Sequence, residues 1–425
     1  MDEVADVIER DFELMGSTAI DDLLQEEVGK TIYDVRSAGI QVWVLTGDKV
    51  ETAINIGYSC KLLEQKMIQF ILQDADRESI TKRFEKLGRD QGIKKRDPDE
   101  VIDKDEAERR SIRGDLPDLT QARVDAVIVT GKCLETLNAN KDLKETFVDL
   151  CEGAKVVLAC RVSPNQKADI VNWIKARNPD KNTLAIGDGA NDVNMILAAH
   201  IGVGILGKEG AQAARAADYA IGKFKFLKNL LFVHGRECYR RNSFATVYIF
   251  YKNILLTAPL FVFGFVSGFS GTQIYHMLMY QGFNTVFTAL PILWIATMDF
   301  EHPKERLLNE PMLYKGGLYN VHFNTRVFLW WLFLSALQAT CLTALTLADN
   351  SMSAHGEDGK LPDMTETGDF VFCAILLIAN VKILVHSFQW SAGNGGLVLG
   401  SILAYVLAFI IVSFAMPTFD HFGNF

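Results

Sequence analysis

The C-terminal part of the chain alternates long apolar runs with short polar stretches. Residues 253–298 contain no Asp, Glu, Lys or Arg over 46 consecutive positions, and only the polar, glycine-containing stretch 267–282 interrupts their apolar character. Three more apolar segments follow, each close to the roughly 20 residues that a helix needs to cross the hydrocarbon core of a membrane. The pattern predicts an α-helical transmembrane bundle of about five spans, at residues 244–269, 283–299, 327–347, 370–388 and 396–415.

The N-terminal part shows short β-rich runs that end in polar or glycine-rich turns and are followed by helical periodicity. The runs lie at residues 40–45, 125–129, 155–159, 183–186 and 201–205. Strands that alternate with helices are typical of an α/β domain with a mainly parallel sheet, in which ligands bind at the carboxyl ends of the strands. We therefore divide the chain into three parts. Residues 1–30 form a segment that returns the chain from a preceding domain through a hinge, residues 31–235 form a polar α/β domain with a charged insertion at about 91–125, and residues 236–425 form a membrane domain.

Charge follows the same division. Of the first 243 residues, 77 are Asp, Glu, Lys or Arg, whereas only 18 of the last 182 are. The net charge of -9 lacks the basic footprint of a nucleic-acid-binding protein, so we expect no nucleic-acid partner. The loop 299–326 carries four basic residues and the loop 348–369 carries six acidic ones, which by the positive-inside rule predicts a multi-pass membrane protein whose polar half is cytosolic. The acidic N-terminus has no signal-peptide pattern, which favours the same orientation.

Two predicted strand ends carry candidate phosphate-binding and metal-binding chemistry. Thr46-Gly47-Asp48 follows the first run, and Gly187-Asp188-Gly189-Ala190-Asn191-Asp192 follows the fourth. Glycine allows a backbone to approach a phosphate closely, and the helix that follows presents free N–H groups at its N-terminus. Asp188 and Asp192, four residues apart, suit Mg²⁺, which prefers a few carboxylates together with phosphate oxygens.

Each motif also has a simpler interpretation as an ordinary surface turn. Two cations between the motifs, Arg161 and Lys167, favour a common site, although Arg161 alone fits a surface ion pair equally well. Gly202-x-Gly204-x-x-Gly207 matches a dinucleotide fingerprint, but its glycines lie inside a predicted strand and no acidic residue follows about 20 positions later. Asp103-Lys104-Asp105 lies in the charged insertion without an apolar strand before it, so we interpret it as part of a solvated segment.

Polar side chains within the predicted spans are few. A charge at the middle of a bilayer costs about 2.5–3.5 kcal/mol on insertion scales, so each one is informative. Lys252 either contacts a polar substrate or extends to the cytosolic surface, and Lys382 fits the second interpretation better. Asn284 and Pro291 indicate an unwound, polar-lined helix or a simple kink in the second span. Because residues 253–298 contain no carboxylate, the first two spans do not supply a cation site built from Asp and Glu.

Six segments of the chain carry a family pattern: Thr18-Ala19-Ile20-Asp21-Asp22-Leu23-Leu24-Gln25, residues 43–57 around Thr46-Gly47-Asp48-Lys49, Cys160-Arg161-Val162-Ser163-Pro164, Ile186-Gly187-Asp188-Gly189-Ala190-Asn191-Asp192-Val193, Tyr251-Lys252-Asn253 and Phe287-Thr288-Ala289-Leu290-Pro291. With these segments the chain resembles the P-type ATPases of the phospholipid-flippase (type IV) subfamily. The resemblance is nearly collinear over most of the chain and is weakest at the charged insertion.

This resemblance implies a Rossmann-like phosphorylation domain of the haloacid-dehalogenase type, followed by helices similar to the fifth to ninth of the family's ten. In the family, ATP phosphorylates an Asp in the motif Asp-Lys-Thr-Gly-Thr, and dephosphorylation drives a phospholipid head group across the bilayer. The implied ligands are ATP as substrate, Mg²⁺ as cofactor and a phospholipid, which we expect to be an aminophospholipid. An accessory glycoprotein subunit is the implied protein partner.

The resemblance also implies functional positions. Those that line the nucleotide and phosphate are Thr46, Gly47, Asp48, Arg161, Lys167, Asn191 and Asp192. Of these, Thr46 and Lys167 would act catalytically, Lys167 by offsetting charge on the transferring phosphoryl group. The metal ligands would be Asp188 and Asp192. The positions along the lipid path would be Lys252 and Asn284.

One departure from the family pattern limits what this chain does alone. The motif Asp-Lys-Thr-Gly-Thr occurs nowhere in the sequence, so the phosphorylated Asp and its strand are missing. We therefore expect this chain to be the C-terminal part of a flippase and to be inactive by itself. Two alternatives stay open: a piece of a cation-pumping P-type ATPase, which membrane carboxylates would distinguish, and a non-catalytic scaffold tethered to a membrane.

Overall fold

The computed structural model describes residues 15–16, 24–93, 116–117, 119–207, 210–352 and 364–415. The family pattern at 18–23, most of the charged insertion and its Asp103-Lys104-Asp105 lie outside the described residues. The chain forms two compact units. One holds the described residues of Met1–Tyr33 and Val42–Lys225, and the other holds those of Asp34–Gln41 and Phe226–Phe425.

The first unit contains seven short strands among its described residues, and all of them pair in parallel. They are β1 Val42–Leu45, β2 Gln69–Leu72, β3 Ala126–Thr130, β4 Val156–Cys160, β5 Leu184–Gly187, β6 Ile201–Ile205 and β7 Tyr219–Ile221. The strands form two sheets, in the orders β1-β4-β3-β2 and β5-β6-β7. The parallel α/β prediction is confirmed, although we expected one sheet. The sequence pattern missed β2 and β7, which have four and three residues.

The two central strands, β3 and β4, are buried on both faces. Val127 and Val129 belong to one apolar cluster, whereas Ala126 and Ile128 belong to another on the opposite face. This alternation follows from the pleat of a strand, and burial of both faces is typical of parallel sheets covered by helices. The helices before residue 225 are α1 Val28–Ser37, α2 Val50–Ser59, α3 Arg77–Asp90, α4 Gly131–Ala139, α5 Lys141–Gly153, α6 Pro164–Arg177, α7 Val193–Ala198 and α8 Gln212–Ala216.

Strand register brings polar turns to one end of each sheet. Leu45 at the end of β1 lies opposite Ala159 of β4, so the turns that follow these strands are neighbours. In the other sheet, Gly202 and Gly204 lie within β6, as predicted. A Cβ at Gly202 would approach the side chain of Ile196 to 2.6 Å, and one at Gly204 would collide with the backbone of Ala214. These glycines therefore allow helices to pack closely against the strand.

The second unit is helical. Its helices are α9 Arg236–Val266, α10 Met277–Gly282, α11 Ala289–Met298, α12 Lys304–Asn309, α13 Lys315–Leu318, α14 Thr325–Met352, α15 Met364–His386 and α16 Ala392–Ala415. Among the described residues, four helical stretches are long and apolar enough to cross a membrane: Phe224–Val266, Thr325–Asp349, Thr367–His386 and Ala392–Val412. A bundle of apolar helices is therefore present, as the hydrophobic pattern predicted.

The segment predicted as the second span, 283–299, is not one continuous helix. A π-helical turn, Phe283–Phe287, follows α10, and Thr288 then breaks the helix with φ -133° and ψ -2° before α11 begins. Neither helical piece reaches the length of the other four stretches. Whether this segment spans the membrane stays a prediction, but Thr288 interrupts the helix within the segment where Asn284 and Pro291 indicated an irregularity.

The helix α15 lies at the centre of the apolar core of this unit. Its residues Phe372, Leu376 and Ala379 are completely or almost completely buried and recur at helical spacing. Tyr248 of α9, also fully buried, donates its hydroxyl to Ala379 O at 3.0 Å. This hydrogen bond ties α15 to α9 within the core.

A buried ion-pair network joins α9 to two connecting segments. Arg240 donates to Asp299 Oδ2 at 2.9 Å and to Glu237 Oε2 at 2.8 Å, and the side chains of all three residues are at most 6% exposed. Arg236 extends the network to Glu301 at 2.6 Å. The other oxygen of Asp299 accepts hydrogen bonds from the turn between α15 and α16, at Ser387 Oγ, Phe388 N and Gln389 N.

Candidate functional site

The turn after β1 is held in shape by its own threonine. The Thr46 hydroxyl donates to Asp48 Oδ2 at 2.7 Å and accepts from the N–H of Asp48 at 3.1 Å. The neighbouring strand fixes the same turn, because Thr46 N donates to Ala159 O at 2.8 Å. Thr46 is half-buried, whereas Gly47 and Asp48 are exposed, and a Cβ at Gly47 would meet nothing within 4 Å. This turn therefore leaves open space beside its backbone.

Arg161 follows β4 and lies beside the Thr46 turn. Its N–H donates to Asp48 O at 3.0 Å, and Val162 N donates to Thr46 O at 3.1 Å. Arg161 has φ +53°, in the left-handed region that a non-glycine residue occupies only with strain. Its side chain is exposed and pairs with no carboxylate of the described residues, so the surface ion-pair interpretation finds no partner there.

Lys167 and Asp192 form an ion pair that ties α6 to the turn after β5. The start of α6 is fixed by a capping box, in which Ser163 and Gln166 bond to each other's backbone N–H. Lys167 Nζ lies 2.7 Å from Asp192 Oδ1, with side-chain exposures of only 10% and 15%. A Cβ at Gly187 would collide with the Asp192 side chain, so this approach requires glycine at that position.

The two candidate metal ligands differ in their surroundings. Asp188 is exposed and has no hydrogen-bond or ion-pair partner among the described residues, whereas one oxygen of Asp192 is engaged by Lys167. Across the described residues, no three His, Cys, Asp or Glu side chains converge as a metal cage. Mg²⁺ bound to a phosphate substrate often takes only one or two carboxylates. The donors present therefore fit Mg²⁺ held by Asp188, with Asp192 beside it.

The contacts sort the predicted residues into two groups. One group is Thr46, Gly47, Asp48 and Arg161, and the other is Lys167 and Asp192 with Asp188 in the same turn. Among the described residues, no hydrogen bond or ion pair joins the groups. Apolar packing links them instead, since Leu45 at the end of β1 packs on the cluster that contains Ala185 of β5. Asn191 is exposed beside the second group.

In the second unit, Lys252 is buried and does not extend to the surface. It is 5% exposed, and its Nζ donates to Thr288 Oγ1 at 2.8 Å. Thr288 in turn donates to Phe283 O at 2.6 Å. This chain of hydrogen bonds ties α9 to the break between α10 and α11.

Two other polar side chains of the membrane helices have different roles. Asn284 is exposed, and its Nδ2 donates to Asn253 Oδ1 of α9 at 3.1 Å. Lys382 Nζ lies 4.9 Å from the ring centre of Trp331 and 5.6 Å from that of Tyr251, at cation–π distance. Aromatic rings therefore flank the ammonium group of Lys382, and its extension to the surface stays a prediction.

Two residues near Lys252, at the break between α10 and α11, were not predicted as functional candidates. Thr288 entered the sequence analysis only as part of a motif, and Asn380 of α15 was overlooked. Both are fully buried, and Asn380 Nδ2 donates to Phe287 O, next to Thr288. The available signal was an isolated Asn in an apolar run, since a buried amide in a membrane helix requires partners.

Comparisons with known proteins show which family the chain resembles. Residues 214–425 match the family described as "Phospholipid-translocating P-type ATPase C-terminal". Phospholipid-transporting ATPase DNF2 of Saccharomyces cerevisiae (strain ATCC 204508 / S288c) is 36% identical over 404 residues, which cover 92% of this chain and 24% of that protein. Phospholipid-transporting ATPase 6 of Arabidopsis thaliana is 36% identical over 392 residues, covering 92% of this chain and 30% of the plant protein. Phospholipid-transporting ATPase IH of Mus musculus is 36% identical over 413 residues, covering 95% of this chain and 34% of the mouse protein.

These relatives are much longer than this chain, which spans about a quarter to a third of their length. The family match lies over the apolar helices, and the relatives align with both units. The chain therefore belongs to the type IV, phospholipid-transporting P-type ATPases and carries a C-terminal region of that family.

Proposed function

We propose that this chain is part of an ATP-driven phospholipid translocase that works through an aspartyl phosphate, and that its first unit is a cytosolic phosphorylation domain of the haloacid-dehalogenase type. The observation that carries the proposal lies at the ends of the parallel strands. There the shielded cation Lys167 is oriented by Asp192, next to the unpartnered carboxylate of Asp188. The names of the similar proteins support phospholipid, and not a metal cation, as the cargo.

Phosphoryl transfer needs the functions that these residues supply. Charge spreads over the equatorial oxygens of the transferring group, so positioning and charge stabilisation provide most of the catalysis. Lys167 offers a positive charge that solvent screens weakly, and the Thr46 hydroxyl, which donates to Asp48, shapes the turn beside the open space at Gly47. When bound at Asp188, Mg²⁺ would neutralise phosphate charge. Arg161 and Asn191, both exposed, are available to contact the nucleotide.

The phosphorylated Asp belongs to a segment outside these 425 residues in this proposal. Both β1 and β5 are terminal strands of their sheets, and each ends in one of the two motifs. A parallel strand between them would join the sheets and bring an Asp at its carboxyl end close to Thr46 and Asp188. A carboxylate oxygen of that Asp attacks the γ-phosphorus and ADP leaves. Water later attacks the same phosphorus, which releases phosphate and regenerates the carboxylate.

The membrane helices supply the lipid path. Lys252 carries a buried positive charge that pairs with no carboxylate of the described residues, which suits the phosphate of a lipid head group. Asn284 is exposed nearby, on the π-helical turn that precedes the break at Thr288. The proposal includes an aminophospholipid as cargo and an accessory glycoprotein subunit, as the family resemblance implies.

A chimera tests this function. The region of yeast DNF2 that aligns with this chain is replaced by the chain, and phosphoenzyme formation and lipid-stimulated ATP hydrolysis are measured in the purified chimera. We expect both activities, and we expect Asp188→Asn to abolish phosphoenzyme formation. Asp180→Asn, at an exposed turn, is the matched control and should leave it unchanged. A folded chimera that is phosphorylated but not stimulated by any phospholipid would contradict the proposed function. Normal labelling of Asp188→Asn would remove that residue from the metal site.

A further inference from the structure

Asn380 connects α15 to the break in the second membrane segment. It is completely buried, and its side-chain nitrogen donates two hydrogen bonds to carbonyl oxygens. One goes to Leu376 O, a turn earlier in the same helix, at 3.1 Å. The other goes to Phe287 O, in the π-helical turn, at 3.3 Å. The second bond crosses between two membrane segments.

Phe287 O needs a donor from outside its own segment because of Pro291. In an α-helix the carbonyl of residue 287 would accept from the N–H of residue 291, four positions later. Proline has no N–H, so that hydrogen bond is missing. A carbonyl buried among apolar side chains without a partner is strongly destabilising, because no water replaces the lost bond. The amide of Asn380 supplies the donor that Pro291 lacks.

The orientation of the Asn380 amide follows from its neighbours. Two carbonyl oxygens lie at hydrogen-bond distance from Nδ2, and a flipped amide would place its oxygen against both of them. The amide oxygen has no hydrogen-bond partner among the described residues and is itself buried. A buried amide that leaves its acceptor unsatisfied indicates that the donated bonds are what the position requires.

The π-helical turn is thus held at both ends by side chains. Phe283 O accepts from Thr288 Oγ1, which also accepts from Lys252, and Phe287 O accepts from Asn380. We propose that Asn380 is a positioning residue of the lipid path: by holding Phe287 it fixes Thr288, and through Thr288 it fixes the ammonium group of Lys252. The effect on lipid rests on the proposed function, whereas the effect on the turn does not.

Hydrogen exchange tests the effect on the turn. The 425-residue chain is placed in nanodiscs of phosphatidylcholine and phosphatidylserine, and amide exchange is measured over residues 283–290. We expect Asn380→Leu, which keeps the volume and removes the donor, to accelerate exchange there by about tenfold. Asn394→Leu is the matched control, because Asn394 is 1% exposed and donates to Ser387 Oγ, away from the turn. An unchanged exchange rate in Asn380→Leu, or an equal increase in the control, would overturn the proposal.

A second variant separates the specific role from a general loss of structure. Pro291→Ala restores the N–H that Phe287 O lacks, so Asn380→Leu should then change exchange by less than about threefold. An equally large effect in both backgrounds would show that Asn380 does not act through Phe287. This result also covers an Asn380→Leu chain that folds poorly, since the double variant should recover the native exchange pattern.

Lipid-stimulated ATP hydrolysis provides the readout for the lipid path. In the DNF2 chimera, we expect Asn380→Leu to raise the KM for the stimulating lipid by about tenfold while kcat changes less than about twofold, with recovery in the double variant. A fall in kcat at constant KM would contradict a role in positioning Lys252. A wild-type chimera without lipid-stimulated activity would count against the proposed function alone, because the exchange experiment would still decide the role of Asn380.

Discussion

Lys167 Nζ lies 2.7 Å from Asp192 Oδ1, so a residue of the turn after β5 orients the cation supplied by α6, the helix that precedes the same strand. The pairing has a mechanistic consequence. A charge that is already oriented needs no rearrangement when negative charge develops on a transferring phosphoryl group. Asp192 therefore contributes to the proposed chemistry through Lys167 as well as through a metal.

We expect Lys167→Ala in the DNF2 chimera to slow phosphoenzyme formation by roughly 10²- to 10³-fold, the range for removal of one preorganised charge-stabilising donor. Asp192→Asn should have a smaller effect, because it keeps a hydrogen-bond acceptor near Lys167. Labelling with radioactive ATP in single-turnover experiments measures both rates. Lys181→Ala, an exposed lysine close in sequence, is the control. Equal rates in Lys167→Ala and the control would exclude Lys167 from the reaction.

At the membrane site, Thr288→Val should leave both Lys252 and Phe283 O without their partner. We expect the free energy of unfolding of the chain in nanodiscs, measured by thermal denaturation, to fall by about 1–3 kcal/mol, the cost of unsatisfied buried groups. Thr288→Ser keeps the hydroxyl and should retain most of the stability. Thr257→Val removes an exposed hydroxyl that bonds only to Asn253 O, one turn away, and serves as the control. Wild-type stability of Thr288→Val would show that this hydrogen-bond chain is dispensable.

The buried ion-pair network should be sensitive to loss of one partner. Asp299→Asn removes one of the two carboxylates that pair with the buried Arg240 and leaves Glu237 shared between Arg236 and Arg240. We therefore expect a loss of about 3–5 kcal/mol in the free energy of unfolding. Denaturant titration of the chain in detergent micelles measures this quantity. Glu310→Gln interrupts an ion pair with Arg306 that is half exposed on both sides, and it should cost less than about 1 kcal/mol. Similar losses for the two variants would contradict the role of burial.

Two buried thiols give a pH dependence. Burial raises the pKa of Cys160 from 9.0 to about 11 and that of Cys133 to about 12. The folded state thus holds these protons more tightly than the unfolded state, so the stability they contribute is complete below pH 9 and falls as the pH rises towards 12. Unfolding measured between pH 8 and pH 11 should show this loss, and Cys160→Ala should reduce it.

At pH 8, a water-soluble maleimide should label the exposed Cys238 and leave Cys133 and Cys160 unreacted until the chain unfolds. Labelling of Cys160 in the folded chain would contradict its burial.

Local patterns in the sequence were sufficient for the strands that carry the motifs, because each ends in a polar turn after an apolar run. They were insufficient for contacts between distant positions. Lys167 and Asp192 are 25 residues apart, and nothing in either local pattern specifies their pairing. The position at which Pro291 acts was also not predicted: its missing N–H acts at residue 287, and the break lies at Thr288, before the proline. Asn380 is 93 residues from Phe287, and only tertiary packing identifies the carbonyl that it caps.

The terminal positions of β1 and β5 have a practical consequence for work on this chain. In the described residues, each strand has a hydrogen-bonded neighbour on one side only. Unpaired strand edges attract strands of other molecules and promote aggregation. Recombinant preparations of these 425 residues will therefore tend to self-associate through the two edges. Co-expression with a polypeptide that covers the edges should improve their solubility.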